Sequence, residues 1–185
     1  MDRILTLVRA RYPMLQLVTH EEDRVGRALE RLASEESRSV FRWRATTGLV
    51  GPEGSVAATT DLEDALEAFE SVSEPAFLIL SDVAIWWSNP RILRQLRDLA
   101  HRVGSQQQAC FLIECESTVP ADLEKELTVV DIPLPNREDV GKLLATLVKA
   151  ENISIEADLF WRFVDGSLGL TEREIKRLLA RIVMS

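Results

Sequence analysis

Short, unbroken apolar runs alternate with amphipathic stretches along the first 135 residues, and after that the apolar runs stop. Residues 14–18, 76–80 and 109–113 are continuously apolar or nearly so, the pattern of strands covered on both faces. Residues 39–45 set Phe41 and Trp43 against Val40, Arg42 and Arg44, which predicts a strand nearer an edge than the centre. A fifth strand is expected over 127–132. Between the strands, residues 2–12, 24–33, 61–72 and 89–103 space their apolar side chains as helices do. In the last of these, Asn89 can cap, Pro90 suits the first turn, and Ile92, Leu93, Leu96, Leu99 and Val103 form the buried stripe.

Residues 46–60 hold three Gly and one Pro and read as a loop or a hairpin around Gly51-Pro52-Glu53-Gly54. Residues 121–126 give a helical turn or two. Beyond Pro133 and Pro135, three helices are expected over 137–150, 155–164 and 171–183. Strands alternating with helices build a parallel sheet covered on both faces. The expectation is an α/β fold with a five-stranded parallel sheet over 1–135, followed by a three-helix subdomain over 136–185.

With 185 residues, 46% of them hydrophobic, the chain can bury a real core. Its net charge of -8 disfavours nucleic-acid phosphates and anionic lipid, so neither nucleic acid nor membrane is expected as a partner. Cys110 and Cys115 lie five apart, outside any C-x-x-C pair, and predict neither a disulfide nor a metal cluster. The opening residues are apolar only in pieces broken by Asp2, Arg3, Arg9 and Arg11, which fits no signal segment or membrane span and leads to an expected cytoplasmic location. Ser185 directly follows the last helical stretch, as at a domain boundary.

This order of elements resembles the AAA+ ATPase module, a P-loop NTPase fold with a helical lid. Val130-Asp131-Ile132-Pro133-Leu134-Pro135-Asn136-Arg137-Glu138 is similar to the family's entry into the lid, and Gly169-Leu170-Thr171-Glu172-Arg173-Glu174-Ile175 to the start of its last lid helix. More narrowly, Val8-Arg9-Ala10-Arg11-Tyr12-Pro13, the run Glu21-Glu22-Asp23-Arg24, and Asn89-Pro90 with Leu96-Arg97-Asp98-Leu99 resemble the degenerate N-terminal half of Ycf46-like AAA ATPases.

The resemblance implies a nucleotide site after the first strand, where G-x-x-x-x-G-K-[ST] would cradle phosphate on backbone N–H groups and a lysine. Here the junction reads Val18-Thr19-His20-Glu21-Glu22-Asp23-Arg24, and the first lysine of the sequence is Lys125. Glu21, Glu22 and Asp23 put negative charge where a triphosphate would sit. Thr19 and Glu22 fit a capping box that would satisfy the helix N-terminus internally.

In the family the third strand ends in a pair of acidic residues that hold magnesium and polarise water. Here it ends Leu80-Ser81-Asp82-Val83, so Asp82 is a remnant of that pair or a capping Asp. At the fourth strand, Glu114-Cys115-Glu116-Ser117 replaces a polar sensor, and Glu124-Lys125-Glu126 stands where arginine fingers are expected.

Other groups carry less. A triad of His20 with Ser81 or Ser117 matches no nucleophile elbow, and a surface His20 is the expectation. His101 is expected to be solvated. Arg91, Arg94 and Arg97 form a strip that is either solvated or a docking face for an acidic partner such as another copy's 61–70 helix. Of the adjacent Trp86 and Trp87, one is expected in the core and the other exposed as an interface anchor. Trp43 and Trp161 are expected to be packing residues. The 51–54 turn follows the second strand and lacks lysine, so it is no phosphate loop.

The resulting expectation is a non-catalytic AAA+-like domain without cofactor or metal. It would act through a protein partner, either AAA+ subunits or another copy of itself, as a regulatory subunit or the N-terminal half of a larger ATPase. The alternative is a sensor domain that binds ATP or ADP weakly.

Overall fold

Pro13 has no N–H to donate and cannot continue a helix, so the first helix, α1 (Asp2–Arg9), closes before it and the chain enters β1 (Met14–Val18). The computed structural model, which describes residues 2–103 and 105–183, then follows the expected alternation. The order is α2 (Glu22–Glu35), β2 (Ser39–Arg44), β3 (Gly48–Gly51), β4 (Gly54–Ser55), α3 (Leu62–Glu70), β5 (Ala76–Ser81), α4 (Pro90–Val103), β6 (Ala109–Glu114) and β7 (Leu127–Asp131). Short 3-10 turns at Val83–Trp86 and Ala121–Leu123 follow β5 and β6.

The sheet runs β4-β3-β2-β5-β6-β1-β7. β2, β5, β6, β1 and β7 are all parallel, with Leu17 opposite Ile113 on one side and Val130 on the other. The five-stranded parallel sheet is therefore present, and the hairpin β3–β4 extends it to seven strands. This corrects the expectation of a near-edge second strand, because β3 pairs along the outer side of β2. The hairpin is held by Thr59, whose hydroxyl accepts from Leu49 N at 2.9 Å and whose carbonyl accepts from the Trp43 ring N–H at 2.8 Å. Gly48 has φ +70 there, and a Cβ at this position would lie 2.9 Å from Thr59 Oγ1, so glycine is required.

Successive strand residues point to opposite faces, and both faces are buried. Met14, Leu78, Leu80, Cys110 and Leu112 join the core under α3 and α4. Leu15, Leu17, Phe77, Ile79, Phe111 and Ile113 join the core under α1 and α2. Two-sided burial is why these strands read as unbroken apolar runs. The described residues divide into two compact units, one ending at Ile132 and one beginning at Pro133.

The second unit consists of α5 (Arg137–Ala150), α6 (Ala157–Gly166) and α7 (Glu172–Val183) around Val140, Leu144, Val164, Ile175 and Leu179. Asn136 and Asp139 form a reciprocal capping box at the start of α5. Trp161 differs from its expected packing role: it is 45% exposed, with the Arg137 guanidinium 4.5 Å from its ring centre. Arg137 also pairs with Asp165. No described helix is long and apolar enough to cross a membrane.

Candidate functional site

β1 lies between β6 and β7, and the connections after β1 and β6 depart in opposite directions, to β2 and to β7. In an open parallel sheet such a reversal leaves a crevice at the carboxyl ends of the strands. The loops that meet there carry Thr19 to Asp23 after β1, Arg44 at the end of β2, Ser81 and Asp82 at the end of β5, and Glu114 to Ser117 after β6.

Only three residues, Thr19, His20 and Glu21, separate β1 from α2. Thr19 N donates to the Glu114 carbonyl at 2.8 Å, and the Thr19 hydroxyl accepts from Glu21 N at 3.0 Å. The expected Thr19–Glu22 capping box is absent, because α2 begins at Glu22 with Glu21 as its cap position, so Thr19 lies two residues outside the cap. Glu21 is buried and forms an ion pair with Arg24 at 2.6 Å. His20 is exposed, and the Ser81 hydroxyl is committed elsewhere, so no triad is assembled.

The centre of the crevice is the Glu22 carboxylate. Its Oε1 accepts from Ser81 Oγ at 2.6 Å and from Arg44 Nε at 2.9 Å, and the second Arg44 nitrogen lies 2.8 Å away. An anion is thus held at a helix N-terminus by a hydroxyl and a guanidinium. Asp23 stands at the rim, 3.8 Å from Arg44.

Glu114 is 5% exposed, and its Oε1 accepts from Val83 N at 2.8 Å and Ala84 N at 3.1 Å. Burial, joined by the neighbouring Asp82 charge and opposed by those two N–H groups, pushes its carboxyl up to about 7. Asp82 is exposed with φ +57, turning the chain from β5 into the 3-10 turn. Burial and the carboxylates of Asp82, Glu114, Glu116 and Glu22 also raise the Cys115 thiol, which disfavours the nucleophilic thiolate.

The family model for the N-terminal domain of SpoVK-like AAA ATPases matches residues 1–132. The chain belongs to this family. Two uncharacterized AAA domain-containing Ycf46 proteins, from Trieres chinensis and Guillardia theta, are each 27% identical to it over 98% and 96% of its length. The chain spans only 37% and 36% of those relatives. Among solved structures, the FIGL-1 AAA domain in complex with ADP superposes with a TM-score of 0.66 over 96% of this chain and 62% of its own, at 16% identity. The replication initiator DnaA bound to AMPPCP and single-stranded DNA gives 0.62 over 100% and 59%, at 13% identity. The fold is that of AAA+ ATPase domains.

Within this SpoVK-like AAA domain, Thr19, Glu21, Glu22, Asp23, Asp82 and Glu114 all lie at the carboxyl end of the sheet, with His20 exposed beside them. Of the remaining candidates, the two tryptophans are placed differently from expectation, while Arg91 and Arg94 are exposed. Trp86 and Trp87 are both half-buried: Trp86 sits edge-on to Trp43 at 5.4 Å, and the Trp87 ring N–H donates to the Thr118 carbonyl at 3.0 Å. The exposed apolar residue on that turn is Ile85, at 75%. Each arginine of the strip has a carboxylate in its own chain, with Arg91 beside Glu63, Arg94 beside Asp98 and Arg97 beside Glu126. Arg91 thus meets the 61–70 helix within one chain, whereas Arg94 and Arg97 pair outside that helix.

Sequence reading missed Arg44 and did not foresee what Ser81 does. The available signal was an arginine at a strand end, level with an acidic junction, but pairing them needs the parallel order of β2, β5 and β1. Glu22→Ala is expected to lower stability by about 1–2 kcal/mol, because it orphans the buried Ser81 hydroxyl and removes the acceptor of Arg44. Glu22→Gln should recover part of this in urea unfolding. Equal losses for both variants would show that the carboxylate oxygen is not holding the crevice.

Proposed function

We propose that this SpoVK-like N-terminal domain is a non-catalytic AAA module that works through protein contact, as a regulatory subunit or as the N-terminal half of a larger ATPase. The observation that carries this reading is the Glu22 carboxylate, held by Ser81 and Arg44 beside a three-residue junction. Phosphoryl transfer depends on positioning and charge stabilisation at this place. Here the basic and hydroxyl donors are spent on the protein's own carboxylate, and a nucleotide phosphate would have to displace it against Asp23 and Asp82. The chain's small share of its longer relatives supports a partner in the form of an AAA ATPase domain, in the same polypeptide or in another subunit.

The expected outcome is no ATP turnover by the purified chain above a buffer blank, and no saturable binding of a fluorescent ATP analogue at concentrations below about 1 mM. Turnover abolished by Asp82→Asn would overturn the non-catalytic reading. Saturable binding without turnover would instead support a weak ATP or ADP sensor, the reading favoured by the nucleotides bound to FIGL-1 and DnaA.

A further inference from the structure

At the opposite end of the sheet, where the strands begin, a cavity of about 260 Å³ is lined by Val8, Arg9, Arg11, Arg38, Gln107 and Gln108. Three guanidinium groups line it and no carboxylate does. This concentration of positive charge occurs in a chain of net charge -8.

The three arginines are not equally engaged. Arg9 pairs with Glu36 at 2.7 Å on the rim. Arg11 is exposed and has no carboxylate within ion-pair distance among the described residues. Arg38 lies with its guanidinium carbon 5.1 Å from the Phe77 ring centre and donates one N–H to the Gln107 carbonyl at 2.8 Å. A guanidinium has five N–H donors, so most of those on Arg38 remain available. Burial costs it solvation and lowers its pKa, with Glu36 opposing that shift. Gln108 is buried and anchored to the Val72 and Glu74 carbonyls at 2.9 and 3.0 Å, which fixes the wall on that side.

Stacked, partly desolvated arginine with unused donors suits a planar or tetrahedral oxyanion, because the fork of N–H groups matches two oxygens at once. Only Arg38 is of this kind, but the exposed Arg11 adds a second guanidinium without a carboxylate partner among the described residues, and two such charges on one cavity match a doubly charged anion better than a single carboxylate. We infer that the cavity of Arg9, Arg11 and Arg38 is a binding site for a phosphate group, either free or as a monoester. Its volume, about 260 Å³, takes a phosphate with room left for ordered water or part of a monoester's organic group, and lies just below the usual range for drug-sized ligands. The competing role for these side chains is structural, since α1 and α2 both end here and cations offset the negative ends of helices.

Calorimetric titration of the whole chain with inorganic phosphate, at fixed ionic strength against chloride, tests the site. Saturable binding with a Kd of about 1 mM or tighter is expected. Arg38→Gln and Arg11→Gln should each weaken it by about tenfold or more, and Arg38→Lys by less, while Arg94→Gln leaves it unchanged. Arg11 is exposed, so Arg11→Gln keeps the test valid should Arg38→Gln fail to fold. A parallel titration with a phosphoserine peptide assigns the source: much tighter binding than inorganic phosphate points to a modified side chain, and comparable binding to free phosphate. Absence of saturation with either ligand, or binding unaltered by Arg11→Gln and Arg38→Gln, would overturn the proposal. A purely structural role would change unfolding in the variants without any phosphate dependence.

Discussion

Trp43→Ala is expected to lower the unfolding free energy of the α/β unit by about 4 kcal/mol, the largest effect of any single substitution considered for this chain. Trp43 is fully buried on β2, its ring N–H donates to the Thr59 carbonyl, and Trp86 packs edge-on against it. Truncation removes the apolar contact, leaves a cavity, and deprives a buried carbonyl of its donor, three costs that act in one direction. The same residue joins two regions of the site. It precedes Arg44, which reaches Glu22, and it supports the 3-10 turn whose N–H groups hold Glu114. For a domain of this size the thermal midpoint should fall by roughly 8–16 °C. Trp43→Phe, which keeps most of the volume and loses the donor, should lose clearly less. A loss below about 1 kcal/mol for Trp43→Ala would mean that the hairpin and turn are not seated on this ring.

The second large effect is a dependence on pH. Glu114 carries its proton up to about pH 7, so the folded chain binds that proton more tightly than the unfolded chain, whose carboxyl titrates near 4.5. Stability from this group is therefore complete below the unfolded value and is lost as pH rises through the folded one. The loss between about pH 4.5 and pH 8 is on the order of 2–3 kcal/mol. Glu114→Gln retains an oxygen for the Val83 and Ala84 N–H groups and removes the titration. Urea unfolding at pH 5 and pH 8 should show the wild type losing more stability than the variant over that interval. Identical changes in both proteins would place the pH dependence elsewhere.

The alternation of elements was readable because its cause is local. A strand covered on both faces must be apolar throughout, and a surface helix must repeat its apolar positions near every third or fourth residue. The acidic junction after β1 was visible for the same reason, since strand, loop and helix are contiguous there. The hairpin was less legible: β3 has four residues and β4 two, too short to show a period. Expecting Trp86 and Trp87 to differ in burial failed because the 3-10 turn that ends at Trp86, with Trp87 as its C-cap, leaves both rings half-buried and presents Ile85 to solvent instead.

By itself the sequence determined the α/β plan, the change to helices near residue 135, and the absence of glycine and lysine from the junction where this family places phosphate. Only the tertiary structure decided what that junction does with its charge. Glu22 meets Ser81 from 59 positions away and Arg44 from 22 positions away. Contacts of that kind depend on the strand order of a parallel sheet, which brings the ends of non-consecutive strands together and leaves no periodic trace in the chain. The arginine cavity at the other end has the same origin, since Arg11, Arg38 and Gln107 lie just before three different strands and meet only because those strands start together.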